Sequence, residues 1–155
     1  MTRLLLALLL AVLPAAASAQ GRTTIGSYSF SGGALRVDTE GSRVAVFAED
    51  RDGSRVTVFV DPSSITQWLA EADSLVHGRS SPVDRETSPL THREESLPGQ
   101  VVLTRRGAGT GGSAKLYLTV MGDSDHIAMI PLTPMDARIV MAALDRAVEE
   151  AKVPR

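Results

Sequence analysis

The sequence predicts an α+β fold: two pseudo-repeated antiparallel β-β-β-α units, with an extra N-terminal strand, forming one compact domain. Three observations carry this. Arg43–Val76 reads as a β-hairpin running straight into a helix entered at Asp61-Pro62. Lys115–Val148 repeats the plan and enters its helix at Thr133-Pro134. The chain of 155 residues, 43% hydrophobic and 22% charged, also has the composition of one globular domain rather than a disordered tail.

The first nineteen residues read as a cleaved signal peptide. Arg3 gives a positive start, Leu4–Leu13 is an unbroken apolar run, and Ala17-Ser18-Ala19 is an A-x-A site before Gln20. Cleavage is expected between Ala19 and Gln20. The run is too short for a membrane span, which needs about 20 apolar residues. No Cys follows it for lipid attachment, and no twin-Arg precedes it. Fourteen Arg against two Lys, with much Ala and Gly, suggest a GC-rich bacterial genome.

The rest of the chain, 20–155, divides into halves at about 28–78 and 99–152, joined by a polar, Pro-containing loop, 78–98. Gln20–Ser27 is polar and reads as a loose lead-in. Tyr28 and Phe30 alternate with serines as a short strand, and Leu35 and Val37 alternate with Arg36 and Asp38 as a second. Val44–Ala48 is apolar on both faces. Asp50-Arg51-Asp52-Gly53 is a hairpin turn whose Gly supplies a positive φ. Val56, Val58 and Val60 share the next strand's inner face. Asp61 stands at the N-cap and Pro62 at the first helical position. Ile65, Trp68, Leu69, Ala72, Leu75 and Val76 form one helical stripe, which places Trp68 in the core, and Gly78 ends the helix.

His77–Pro98 holds three Pro and few large apolar residues, so it reads as a weakly ordered loop. Strands resume at Gln100–Thr104, Leu116–Val120 and Ile127–Leu132. Pro131 marks an edge or a strand end. Thr133 caps a helix whose stripe is Ile139, Val140, Ala143, Leu144, Ala147 and Val148.

The halves align. Gly33–Val37 matches Gly99–Leu103, Arg43–Ala48 matches Lys115–Val120, and Val60-Asp61-Pro62 matches Leu132-Thr133-Pro134. Such a repeat duplicates one supersecondary unit that cannot bury its apolar face alone. A strand–strand–strand–strand–helix module used twice is similar in outline to the Whirly, PC4-like and PUR nucleic-acid-binding folds. No binding motif of those families is matched.

Motifs for chemistry are sparse. Asp50-x-Asp52-Gly53 and Asp123-x-Asp125 resemble fragments of calcium loops but lack the later ligands, so they read as turns. Arg105–Lys115 is Gly-rich, yet a strand rather than a helix follows it, which departs from a phosphate loop. Arg105, Arg106 and Lys115 remain candidate surface contacts for an anion. His77, His92 and His126 are not at metal-ligand spacing. With no Cys, neither disulfides nor thiol chemistry are available. No catalytic residue, cofactor site or metal site is legible.

Losing Arg3 from a chain with 16 basic and 18 acidic residues leaves a formal charge of −3. That balance argues against nucleic acid as a partner. The first reading is therefore a small secreted or periplasmic, non-enzymatic binding module. Its partner would be an envelope or extracellular protein, or a small ligand. The alternative is a nucleic-acid-binding module of Whirly/PC4-like topology, which predicts that Arg36, Arg43, Arg55, Arg105, Arg106 and Lys115 gather on one face. A third is an enzyme or inhibitor acting through the 77–98 loop, which requires a His and a carboxylate meeting in a pocket.

Overall fold

The computed structural model describes residues 21–78, 83–92, 99–107, 114–123 and 125–151. The expected signal peptide and the expected cleavage between Ala19 and Gln20 lie outside them. The elements in order are β1 (Arg22–Phe30), β2 (Gly33–Glu40), β3 (Arg43–Asp50), β4 (Arg55–Val60), α1 (Pro62–His77), β5 (Arg85–Glu86), β6 (Leu90–Thr91), β7 (Gln100–Arg106), β8 (Lys115–Met121), β9 (Ile127–Leu132) and α2 (Pro134–Ala151). The fold is α+β, and its halves form two sheets. One has the order β1-β2-β3-β4; the other runs β5-β7-β8-β9, with β6 also paired to β7. All pairings are antiparallel.

Period-two alternation decides which face each sheet buries. Val44, Val46 and Ala48 on β3 and Val56, Val58 and Val60 on β4 point inward, as do Leu116, Leu118 and Val120 on β8 and Ala128, Ile130 and Leu132 on β9. These join one core with the apolar stripes of both helices. The helices are exchanged. α1 follows the first sheet but packs against β6 and β7 of the second, and α2 packs chiefly against β1, β2 and β3 of the first. They also pack against each other.

The repeat holds residue by residue. Adding 72 to a number between 43 and 76 gives its counterpart, so β3 begins at Arg43 and β8 at Lys115. The buried residues of α1 are Ile65, Trp68, Ala72, Leu75 and Val76. Their counterparts Ala137, Val140, Leu144, Ala147 and Val148 are buried in α2. Gly33 and Gly99 open β2 and β7 with φ of 153° and 141°. A Cβ at Gly33 would lie 2.2 Å from the Glu49 carbonyl oxygen, and one at Gly99 would lie 2.6 Å from Val58 Cγ1. Both positions therefore require glycine for the same two reasons.

Two expectations are corrected. β1 begins at Arg22, not near Ser27, because β2 offers a ladder partner along its whole length, with a register irregularity between Thr24 and Gly26. The 77–98 loop is not uniformly without structure: β5 and β6 pair with β7 as β1 pairs with β2, so the second unit has its own version of the extra strand, broken in two. Thr87 makes the break, giving its N–H to the Leu103 carbonyl at 3.0 Å and accepting the Leu103 N–H at its hydroxyl at 3.1 Å. Leu90 is 1% exposed. The Ser88 N–H donates to the Glu71 carboxylate at 2.6 Å, fastening the segment to α1. That bond, outweighing the effect of burial, holds Glu71 below the usual carboxylate range. Gly78 ends α1 as expected, in an extended conformation with φ of −60°. A guanidinium does the capping.

Candidate nucleic-acid interface

That guanidinium is Arg105. Its Nη1 donates to the carbonyls of Leu75 at 2.5 Å and Gly78 at 2.7 Å, satisfying the end of α1. Arg105 sits on the inward phase of β7, where its guanidinium is engaged by the end of α1. Arg106, the next residue, is on the outward phase. Its guanidinium lies over the Tyr117 ring, 4.8 Å from the centroid. Lys115 stands directly opposite Arg106 across the β7–β8 ladder and is exposed. Of the three candidate anion contacts, the fold thus brings two together and turns the third inward.

The other named cations lie elsewhere. Arg36, Arg43 and Arg55 share the outer face of the first sheet by strand phase. Arg36 lies over the Phe47 ring at 5.2 Å, but it also bonds the Asp38 carboxylate at 3.1 Å, which Arg22 reaches at 2.6 Å. Arg55 is held by Glu49 through Nε at 3.0 Å and Nη2 at 3.2 Å. The first sheet's outer face is therefore charge-compensated. The six cations do not gather on one face. On the second sheet, Arg106 and Lys115 make no ion pair with a described residue, and Thr104 and Thr119 flank Tyr117 on the same face.

Each histidine has a local partner. His77 Nδ1 lies 2.9 Å from Asp73 Oδ1, and its Nε2 faces Arg138 Nη2 at 3.0 Å, tying α1 to α2. His92 is nearly buried, 3.4 Å from Asp61. His126 lies 3.5 Å from Asp123 in the β8–β9 turn, beside an open groove of about 380 Å³ lined by Arg55, Thr57, Phe59 and Gly122. Here a His and a carboxylate share a cavity, and both are more than two-thirds exposed. Asp50, in the turn once compared with a calcium loop, is occupied by the chain itself. Its Oδ1 accepts the N–H groups of Asp52 at 3.0 Å and Ser54 at 2.9 Å. The N–H of Met129 on β9 faces the same carboxylate. Burial raises its pKa, but these N–H groups and the Ser54 hydroxyl outweigh it and hold Asp50 below the usual carboxylate range.

Tyr117 was the residue missed. Its alternation with Lys115 already put it on the cationic face, yet its partner Arg106 lies across a ladder that the Gly-rich connection conceals. The groove had no sequence signal, because it forms between the two sheets.

No protein-family profile and no curated protein matches the chain. Two solved structures are similar in outline. One is described as the plant transcriptional regulator PBF-2, at 13% identity and a TM-score of 0.38, covering 82% of this chain and 80% of that one. The other is WHY3 from Arabidopsis thaliana, at 13% identity and a TM-score of 0.39, covering 79% of this chain and 85% of that one. The likeness is one of outline. On this finding the expectation of a secreted or periplasmic binding module, with an envelope protein or small ligand as partner and nucleic acid disfavoured, is corrected. Net charge sums over the whole surface and does not describe any one face of it. No described helix is long and apolar enough to cross a membrane.

Proposed function

We propose that the chain binds single-stranded nucleic acid on the outer face of its second sheet. The observation that carries this is Arg106 lying over the Tyr117 ring at 4.8 Å, with Lys115 alongside and neither cation paired to a described carboxylate. An aromatic ring joined to a guanidinium offers a flat platform to any base, because every base has a π face. Arg106 and Lys115 can take the adjoining phosphates, which position a strand without reading its sequence. A sheet face offers no protruding helix or ribbon for a major groove, so duplex is the poorer ligand.

From these two phosphate contacts alone, log K should fall with log[salt] at a slope of about −1.4, from ~0.7 per contact for single strands. The test is fluorescence anisotropy with labelled oligothymidylate, against a duplex of mixed sequence, across a salt series. Tyr117→Ala should weaken single-strand binding by roughly tenfold, in keeping with ~1–3 kcal/mol for a stacked base. Arg106→Ala should also flatten the salt slope. Arg51→Ala, in the exposed β3–β4 turn, should change nothing. No binding at low salt, or equal losses in all three variants, would remove the proposal.

A further inference from the structure

The pseudo-repeat places each hairpin turn against the edge strand of the other sheet. The β3–β4 turn meets β9, and the β8–β9 turn meets β4. At the first of these junctions the Asp50 carboxylate lies near the Met129 N–H. The second is open, as the groove that Arg55, Thr57, Phe59, Gly122, Asp123 and His126 line.

The ladder fixes which backbone groups face that groove. Asp50 N–H donates to the Ser54 carbonyl at 3.0 Å, so the pair 50/54 is hydrogen-bonded. Alternation then makes 49/55, 47/57 and 45/59 non-bonded pairs, whose N–H groups point away from the partner strand. The N–H groups of Arg55, Thr57 and Phe59 therefore point off the free side of β4. The same phase holds in the second sheet, where Gly122 N–H donates to the His126 carbonyl at 2.8 Å. There the outward positions are Ile127, Met129 and Pro131, and Pro131 has no N–H to leave unsatisfied.

Under the 72-residue correspondence, Thr57 is the counterpart of Met129 and Gly122 is the counterpart of Asp50. Thr57 thus presents the same outward donor as Met129, but the residue that would supply a carboxylate has no side chain. Two further groups border the gap. Glu49 uses Nε and Nη2 of Arg55 and leaves Nη1. His126 lies beside Asp123 on the opposite wall. The Phe59 ring adds an apolar surface, half-buried, at one side.

We propose that this groove is an oxyanion site, built around the Thr57 N–H and the free edge of the Arg55 guanidinium, and that it takes a phosphate group. Resting on the reading above, that phosphate belongs to the bound strand, with Phe59 placed for its base. A volume of about 380 Å³ exceeds what one carboxylate fills and is within the range of small-ligand clefts.

The test follows backbone amide NMR shifts of the full chain during titration with inorganic phosphate, acetate, thymidine 5′-monophosphate and oligothymidylate. The Thr57 and Gly122 amides should shift with phosphate, more with the monophosphate at equal concentration, and least with acetate. Gly122→Asp rebuilds the missing carboxylate. Its new Cβ would lie 3.3 Å from Val56 Cγ1, so a shift of a few tenths of an ångström is needed. This variant should show the Thr57 amide already displaced and lose the phosphate response at least tenfold. Thr57→Pro is the second variant; it removes the donor at an outward edge position, where β9 itself carries a proline, and should lose the Gly122 response. A phosphate response at Thr57 without oligonucleotide binding at Tyr117 would keep this site and remove the proposed function. Oligonucleotide binding at Tyr117 with Thr57 silent to all four titrants would overturn the site alone. A phosphate response unchanged in both variants would overturn it too.

Discussion

Trp68 occupies in α1 the position that Val140 occupies in α2. Ile65 likewise stands against Ala137, Ala72 against Leu144, and Leu75 against Ala147. At each pair, a larger residue in one helix answers a smaller one in the other. The two units share their pattern of burial but not their side-chain volumes, α1 carrying the larger residue at three of these four pairs where the helices pack against each other in one close-packed core. Burial pattern belongs to the single unit; side-chain volume belongs to the pair.

The largest effect expected from this asymmetry lies at its extreme. Trp68→Ala should cost about 3–5 kcal/mol in urea denaturation. Val140→Ala should cost ~2 kcal/mol, from two buried methyl-sized groups and a small cavity. Equal costs would mean that the difference in volume does not bear on stability. Trp68 Nε1 has no hydrogen-bond partner and is buried, so its removal carries no offsetting loss of a bond.

A smaller contrast lies at the helix starts. In α2 the Thr133 hydroxyl accepts the Asp136 N–H at 3.1 Å, while the Asp136 carboxylate accepts the Thr133 N–H at 2.9 Å, a reciprocal cap. In α1, Asp61 stands at the N-cap but makes no side-chain cap bond, and its carboxylate faces His92. Thr133→Ala should therefore destabilise by about 1 kcal/mol. The capping part of Asp61→Ala, read as the loss remaining in a His92→Gln background, should be less than half of that. A larger residual loss would show that Asp61 caps α1 in solution.

The smallest effect concerns the turns. Asp50 has a pKa held below the usual carboxylate range in the folded chain, whereas Gly122 has no group to titrate. A depressed carboxylate contributes stability that is fully present above its unfolded pKa and is lost as pH falls through the folded one. Acid titration of stability should lose this contribution below about pH 4, the ordinary range of Asp. Asp50→Asn should flatten that part of the curve. An unchanged acid limb would mean that these donors do not hold the charged form.

What could be read from the chain and what could not follow one physical line. Val56, Val58 and Val60 declare their strand because alternation is local, and Thr133-Pro134 declares its helix because capping is local. Arg22–Ser27 and Leu90–Thr91 are strands only because β2 and β7 give them ladders, and no residue within those stretches announces a partner so far away. Arg105 and Arg106 look alike in sequence. Strand phase separates them, sending one to the end of α1 and the other to Tyr117. The exchange of helices between sheets had no sequence signature, since an apolar stripe fits either sheet.

That exchange has a bearing on how the molecule comes apart. Each helix closes the core of the unit that did not produce it, so neither unit possesses a complete interior of its own. Lifting α2 bares the first sheet, although the first sheet's own chain segment ended long before. The two halves are thus thermodynamically one body despite their repeated plan. An opening large enough to wet either sheet wets both, and the slowest amide exchange in β3 and in β8 should share a single free energy.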